Sequence, residues 1–135
     1  MINYLVLEWM TPHPIAVSGL CTVKEARQLM TEQRVRRLLV MDRGHLAGIV
    51  TLGDVRAAES QAHDLTVSRI MTRNVLTVSP KTSIRDAANI MMLNKVGGLP
   101  VLDNGKVVGI ITESDIFTML VRELDRLVIT QEATR

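Results

Sequence analysis

Two pairs of hydroxyl and carboxylate side chains, each spaced three residues apart, are the polar groups with the most regular placement in this chain. Thr51 precedes Asp54, and Thr112 precedes Asp115. At the start of a helix, Thr-x-x-Asp forms a capping box, in which the side chains satisfy backbone groups and no ligand is required. The same carboxylates could instead hydrogen bond to a bound molecule. The spacing alone leaves both interpretations open.

The remaining reactive side chains lack the partners that catalysis needs. Cys21 lies near a predicted helix start, where a thiol can become acidic, but no partnered base is identifiable. His13, His45 and His63 are scattered without metal-ligand spacing, so we expect surface or turn histidines and no metal site. The sequence also lacks a Walker loop, a G-x-G-x-x-G sequence and a nucleophile elbow. We therefore expect that the protein is not an enzyme.

The composition is typical of a folded, globular protein. Of 135 residues, 47% are apolar and 22% charged, which indicates one compact unit or two small ones. A net charge of +2 and 2% aromatic residues argue against a nucleic-acid surface. No apolar run approaches the ~18 residues of a membrane span, and Glu8, without a preceding basic stretch, argues against a signal peptide. Because a single cysteine cannot form an internal disulfide, we expect a cytoplasmic protein.

The chain repeats itself. When it is shifted by 61 positions, so that Met10 falls on Met71, 15 of the 45 residues from 10 to 54 are identical without any gap. Each copy is too short to enclose a good core alone, whereas two packed copies can bury each other's apolar faces. We therefore expect one pseudo-symmetric domain. Residues 1–61 would form the first copy with an N-terminal segment, and residues 62–135 the second copy with a C-terminal helical extension.

The apolar pattern predicts the same order of elements in both copies: a strand, a helix, two strands and a second helix. The predicted strands are residues 15–17, 38–41 and 45–50 in the first copy and 76–78, 99–102 and 106–111 in the second. The predicted helices begin at Thr22, Thr51, Ser83 and Thr112, each followed three residues later by an acidic residue. This order predicts an α+β fold with helices on one side of a small sheet.

Four further features concern packing. Helical spacing places Met30 and Met91 on the buried faces of the first helices. An apolar stripe continues the last helix beyond the repeat, at Leu120, Val121, Leu124 and Leu127. A partner subunit or the domain's own core must cover that stripe.

Residues 59–66 are polar and predict a surface linker. Gly48 and Gly109, in the predicted strands, would let a ligand or another backbone come close.

Each copy resembles a CBS (cystathionine-beta-synthase) motif. The resemblance rests on the initial M-T, the V-x-x-A-x-x-x-M helix, the L-x-V-x-D-x-G hairpin and the endings G-I-V-T-L-G-D and G-I-I-T-E-S-D. The match covers nearly the whole chain, so the two copies resemble a CBS pair, or Bateman module. This resemblance implies two β-α-β-β-α motifs packed as one pseudo-two-fold domain, which in that family commonly dimerises into a disc.

The resemblance also implies that an adenosine-containing ligand binds in clefts between the copies. Candidates are AMP, ADP, ATP and S-adenosylmethionine, each as a regulatory ligand and not as a required cofactor. Thr51 with Asp54, and Thr112 with Asp115, would reach the ribose and phosphate, since a carboxylate can accept hydrogen bonds from both ribose hydroxyls. The helix start beside each carboxylate favours a phosphate. The apolar residues expected at the clefts are Ile15, Val17, Leu76 and Val78.

The two clefts are expected to differ where a phosphate would lie. The first copy has Arg36 and Arg37 where the second has Gly97 and Gly98, and only the second has Pro100 in its following strand. We hypothesise that the arginines supply charge, because their forks suit phosphate oxygens, and that the glycines supply room. A solvated basic edge is the alternative interpretation of the arginines.

The expected function is a regulatory module that acts through a homodimer and an unidentified regulated protein, with no nucleic-acid or membrane partner. The alternative is a structural dimerisation or protein-interaction module with vestigial nucleotide clefts. A ligand shifts an equilibrium only through its different affinities for two states, so the regulatory function requires a second state or a partner.

Overall fold

A computed structural model of the chain describes residues 4–61 and 64–133. In chain order, its elements are α1 (Val6–Trp9), β1 (Thr11–Pro12), β2 (Ala16–Ser18), α2 (Val23–Gln33), β3 (Arg37–Asp42), β4 (His45–Thr51), α3 (Leu52–Ala58), a 3-10 turn (Val67–Arg69), α4 (Ile84–Asn94), β5 (Gly98–Asp103), β6 (Lys106–Thr112) and α5 (Glu113–Ala133). The mixture of helices and strands confirms the predicted fold class.

The first long helix of each copy begins where its capping residue predicts. At α2, the Thr22 hydroxyl accepts a hydrogen bond from the backbone N–H of Glu25 (3.1 Å), and the Glu25 carboxylate accepts one from the backbone N–H of Thr22 (3.4 Å). At α4, the Ser83 hydroxyl accepts a hydrogen bond from the backbone N–H of Asp86 (3.0 Å). The buried faces are the predicted ones: Val23, Ala26 and Met30 in α2, and Ile84, Ala87 and Met91 in α4.

Each copy contributes one antiparallel hairpin to its own sheet. The first sheet has the order β2-β3-β4, and the second has the order β1-β6-β5. The hairpin turns use a left-handed backbone at Gly44 and Gly105, with φ of +80° and +79°. The hairpins confirm the prediction, and each of their strands extends slightly beyond the predicted range.

The segment that precedes each copy's first strand crosses to the sheet of the other copy. β1 lies antiparallel to β6, with Thr11 opposite Ile110. At the equivalent position of the repeat, Thr72 forms an isolated antiparallel bridge with Ile49. The two copies are therefore joined by a reciprocal exchange of backbone hydrogen bonds.

The crossing segments also complete the opposite cores. Val6 is fully buried in the core of the second copy, and Val67 is fully buried in the core of the first. The backbone N–H of Val6 donates to the Thr82 carbonyl, and that of Val67 donates to the Cys21 carbonyl, both at 2.8 Å. Because each core includes a residue from the other copy's segment, the two copies form one pseudo-two-fold domain.

Two glycines make room for this exchange. An added Cβ at Gly109 would lie 2.9 Å from the carbonyl oxygen of Thr11, and one at Gly48 would lie 2.7 Å from that of Thr72. A side chain at either position would therefore displace the crossing backbone. Of the two roles left open by the sequence, the close approach of another backbone is the one observed.

The predicted strand at residues 76–78 is wrong. Its counterpart β2 exists, one residue later than predicted, whereas in the second copy only Val78 forms an isolated parallel bridge to β5. In the first copy, the backbone N–H of Leu39 donates to the carbonyl of Ile15 (3.0 Å). Pro100 stands at the position of Leu39 and has no N–H, so the equivalent bond cannot form and the strand is reduced to one residue.

The linker is shorter than predicted. α3 ends at Ala58, and residues 59–61 are exposed as expected. Leu65, by contrast, packs against the first core, and its carbonyl accepts a hydrogen bond from the backbone N–H of Val23 (2.8 Å). His63 lies outside the described residues.

The apolar stripe of α5 is not covered by the domain's own core. Ile116 and Met119 of the same helix pack against the second core. Leu120, Val121, Leu124 and Leu127 expose between 48% and 56% of their surface. Within the two described ranges, no helix combines the length and apolar character needed to cross a membrane.

Candidate functional site

The larger candidate site, which we name cleft A, is a cavity of about 400 Å³ between the two copies. Ile15, Arg36 and Arg37 border it from the first copy, and Ile110, Thr112 and Ser114 border it from the second. The cavity therefore depends on the packing of the copies against each other. It combines an apolar side chain, guanidinium groups and hydroxyl groups, which suits a ligand with apolar, polar and anionic parts.

The second Thr-x-x-Asp sequence lies at the edge of cleft A. The Asp115 Oδ2 accepts hydrogen bonds from the backbone N–H of Thr112 (2.8 Å) and from its hydroxyl (3.1 Å). The Asp115 Oδ1 accepts one from the hydroxyl of Thr11 (3.2 Å). Asp115 thus caps α5 and ties it to the segment that crosses from the first copy. Thr112 borders the cavity and Asp115 does not, so a ligand would have to compete with Thr11 for Oδ1.

The first Thr-x-x-Asp sequence lies beside a smaller cavity of about 280 Å³, which we name cleft B. Its border consists of Arg36, Arg37, Thr51, Leu52, Gly53 and Arg56. The Asp54 Oδ2 accepts a hydrogen bond from the backbone N–H of Thr51 (2.9 Å), and the Thr51 hydroxyl accepts one from the backbone N–H of Asp54 (3.2 Å). This capping box is the predicted one. Three guanidinium groups around a small cavity make cleft B suited to an anion.

Arg37 and the glycine pair meet at the boundary between the copies. The Arg37 δ-carbon lies 2.9 Å from the position that a Cβ of Gly98 would take, and its guanidinium fills the corresponding space at Gly97. Burial lowers the pKa of Arg37, the neighbouring Glu113 carboxylate opposes that shift, and Arg36 adds to it. The room left by the two glycines is therefore occupied by a half-buried cation.

The four apolar residues predicted at the clefts lie in different places. Ile15 borders cleft A. Val17 packs against the first core, and Val78 is buried in the second. Leu76 exposes 42% of its surface. Of these four described residues, only Ile15 borders a cavity between the copies.

Several cleft residues were not predicted. Thr11, His13 and Ser114 border cleft A, and Arg56 borders cleft B. Thr11 belongs to the Met-Thr pair that is identical in both copies, so the repeat contained a signal for it. His13 is exposed, as predicted, and has a left-handed backbone with φ of 52° where it borders cleft A. For Arg56, which lies within a helix, the sequence held no comparable signal.

The surroundings of Cys21 do not activate its thiol. Burial raises the pKa of the Cys21 thiol, and the Glu25 carboxylate shifts it in the same direction. The nearby helix start therefore does not acidify this cysteine. Across residues 4–61 and 64–133, no cluster of three or more His, Cys, Asp or Glu side chains could hold a metal ion.

The sequence of the chain is similar to those of known proteins that contain CBS domains. The family model for the CBS domain matches the chain twice, at residues 6–60 and 67–122. A CBS domain-containing protein of Dictyostelium discoideum is 32% identical over 139 residues, covering 92% of this chain and 96% of that protein. Other relatives are much longer. The chain spans 34% of an uncharacterized protein of Methanocaldococcus jannaschii, at 37% identity over 74% of this chain. It spans 21% of an inosine-5′-monophosphate dehydrogenase of Korarchaeum cryptofilum, at 39% identity over 76% of this chain.

Solved structures show the same architecture. The CBS domain pair of protein MJ0100, in complex with 5′-methylthioadenosine and S-adenosyl-L-methionine, has a TM-score of 0.85 and 30% identity, over 90% of this chain and 99% of that one. CBSX2, a CBS-pair protein from Arabidopsis thaliana, in complex with AMP, has a TM-score of 0.81 and 30% identity, over 89% of this chain and 98% of that one. These matches confirm the resemblance that the repeated motifs predict.

Proposed function

Because the chain belongs to the CBS domain family and carries the CBS motif twice, we propose that it is a regulatory module that binds an adenosine-containing ligand between its copies. The candidate ligands are AMP, ADP, ATP and S-adenosylmethionine. The solved CBS pairs of MJ0100 and CBSX2, which hold adenosine compounds, support this class of ligand. The proposed role is regulatory, with no catalytic step and no required cofactor.

The observation that carries the proposal is the composition of cleft A. Thr112 borders the cavity from the second copy, with the Asp115 carboxylate bonded behind it, and Ile15 and Arg36 border it from the first. We propose that Ile15 packs against the adenine, that Asp115 accepts hydrogen bonds from the ribose hydroxyls, and that Arg36 and Arg37 hold a phosphate. In cleft B, Thr51 and Asp54 would take the roles of Thr112 and Asp115. The two sites are nevertheless unequal, because the residues around them differ.

The charge of the clefts favours a phosphorylated ligand. Arg36 and Arg37 border both cavities, and Arg56 adds a third cation at cleft B. S-adenosylmethionine carries a sulfonium cation where the nucleotides carry phosphate, and like charges repel in a confined site. We therefore expect ADP and ATP to bind more tightly than S-adenosylmethionine.

Calorimetric titration with AMP, ADP, ATP and S-adenosylmethionine tests the proposal. Asp115→Asn removes the charge and keeps the shape, so it should weaken binding in cleft A by about 1.5–3 kcal/mol, the range of a hydrogen bond to a charged group. Asp86→Asn is the matched control, because Asp86 occupies the same third position of α4, and its capping residue Ser83, unlike Thr112, borders neither cleft. If no candidate binds the wild type, or if the two variants bind alike, the ligand-binding role in cleft A is wrong.

The uncovered stripe of α5 favours a second function, that of a dimerisation module. Phe117, Leu124 and Leu127 expose between 52% and 59% of their surface, and Met92 on α4 exposes 68%. Monomeric proteins rarely leave a contiguous apolar patch of this kind uncovered. We propose that a second copy of the chain covers it, so that the ligand-binding module acts as a homodimer in the cytoplasm.

Light scattering after size-exclusion chromatography measures that association. Leu124→Lys places a charge within the stripe and should convert a dimer of the chain to monomer. Thr31→Lys, which places the same charge at an exposed position of α2, should leave the mass unchanged. A wild-type mass of one chain at high protein concentration would contradict the dimer. A dimer in which both variants behave alike would place the interface elsewhere.

A further inference from the structure

The position of Arg37 connects the two clefts physically. Its backbone lies at the start of β3, directly opposite Thr51 in the ladder with β4. Its side chain extends in the other direction, against Gly97 and Gly98 of the second copy. Gly98 in turn lies directly opposite Thr112 in the ladder of β5 and β6. One residue thus spans from the helix-capping threonine of cleft B to the strand that carries the threonine of cleft A.

Both cavities have the Arg37 side chain in their walls. It borders cleft A together with Thr112 and Ser114, and it borders cleft B together with Thr51 and Gly53. At the equivalent position the second copy has Gly98, which offers no guanidinium of its own. Arg36 also borders both cavities, but it is exposed, whereas Arg37 is half-buried and lies against the second copy. Arg37 is therefore a half-buried cation that the two clefts share and that the pseudo-symmetry of the domain does not duplicate.

Two charged side chains, Glu113 and Arg36, act on the Arg37 guanidinium. The side chain is half-buried, the Glu113 carboxylate is its favourable charged neighbour, and Arg36 is an unfavourable one. The Glu113 carboxylate also reaches the space at Gly97 that the guanidinium fills. A half-buried cation with one carboxylate beside it gains from a phosphate on either side. A planar guanidinium, however, offers its paired donors to one phosphate at a time.

We propose that Arg37 couples the two clefts negatively: a phosphate held by Arg37 in one cleft lowers the affinity of the other cleft for a second phosphorylated ligand. This inference rests on the proposed function, since it assumes ligands in both clefts. Ligands without phosphate do not compete for the guanidinium and bind the two clefts independently. The nearby Glu113 carboxylate favours the charged form of the guanidinium that either phosphate would meet.

The coupling is measured by comparing the joint affinity for two ligands with the affinities of the separate clefts. Asp54→Asn and Asp115→Asn each weaken one cleft, so that calorimetric titration gives the affinity of the other. The coupling factor is the overall two-site association constant of the wild type divided by the product of the two single-cleft constants. For ADP we expect a factor lower than one by about 5- to 150-fold, the usual range for coupled sites. For 5′-methylthioadenosine, which has no phosphate, we expect a factor of one.

Arg37→Gln, combined with the same cleft variants, should bring the factor for ADP to one. Arg34→Gln is the matched control, because Arg34 is exposed and borders cleft A without bordering cleft B. We expect Arg34→Gln to change the affinity of cleft A alone and to leave the coupling factor for ADP below one. If Arg37→Gln still binds 5′-methylthioadenosine, its clefts are intact. The comparison of ADP with 5′-methylthioadenosine in the wild type tests the same proposal without any change at Arg37.

The outcomes separate this inference from the proposed function. If ADP binds both clefts of the wild type with a coupling factor of one, negative coupling through Arg37 is refuted while adenosine binding stands. A coupling factor that is equally far below one for ADP and for 5′-methylthioadenosine also refutes the negative coupling through Arg37, because the phosphate would then play no part. If neither compound binds, both the inference and the proposed function fail.

Discussion

Replacing Gly48 with alanine should destabilise the whole domain, because the added methyl group would collide with the segment that joins the copies. The new Cβ would lie 2.5 Å from the Met71 sulfur and 2.7 Å from the Thr72 carbonyl oxygen. The methionine side chain can move, but the carbonyl belongs to the backbone. That carbonyl accepts a hydrogen bond from the backbone N–H of Ile49 (3.0 Å), and the Thr72 N–H donates one back (2.9 Å).

The magnitude follows from the two costs that the collision imposes. Overpacking of a well-packed site costs about 1–3 kcal/mol, and each of the two exchanged hydrogen bonds contributes about 1 kcal/mol. We therefore expect Gly48→Ala, which strains the site and breaks both bonds, to lower the free energy of unfolding by about 3–5 kcal/mol. Gly109→Ala should cost less, because its Cβ would lie 2.7 Å from the Met10 sulfur and 2.9 Å from the Thr11 carbonyl oxygen.

Urea denaturation followed by circular dichroism measures these differences. Gly53→Ala is the matched control, because its added Cβ would meet its nearest neighbour, the Thr51 hydroxyl, at 3.7 Å. That change should stabilise α3 by about 0.5–1 kcal/mol, as alanine replaces glycine within a helix. If Gly48→Ala unfolds at the same urea concentration as the wild type, the close crossing of the two copies is wrong.

Two further predictions concern single residues. Leu39→Pro should lower the free energy of unfolding by at least about 1 kcal/mol in urea denaturation, because it removes the hydrogen bond to the Ile15 carbonyl and shrinks β2 as Pro100 does in the second copy. Unchanged stability would contradict that explanation. Cys21 should react slowly with iodoacetamide near neutral pH, with a midpoint above that of a free thiol, because burial and Glu25 raise its pKa. Since the folded state disfavours the thiolate, the contribution of Cys21 to the free energy of unfolding should be constant below the ordinary thiol pKa and fall as the pH rises above it. A midpoint at or below that of free cysteine would refute the assignment.

Much of the fold could be predicted because its signals are local or repeated. Thr22 and Ser83 mark helix starts through side chains that contact only their own first turn. The Asp-x-Gly turns ending in Gly44 and Gly105 mark the hairpins in the same way. The identities between the copies then predict that both halves have the same elements and pack as one domain.

The features that were missed depend on contacts between distant residues. The failed strand at residues 76–78 depends on Pro100, whose missing N–H matters only through the neighbouring strand. The exchange of crossing segments pairs Thr11 with Ile110, and no local period reports such a partner. Likewise, the sequence shows that Arg37 is charged and that Gly98 has no side chain. Their contact follows only from the packing of the copies.

The central claim is that an adenosine ligand lies between the copies, and a crystal structure of the protein with AMP tests it most directly. The account predicts the adenine beside Ile15, the ribose hydroxyls within hydrogen-bond distance of Asp115, and the phosphate at Arg36 or Arg37. AMP absent from both clefts at saturating concentration, or bound only on the outer surface, would contradict it.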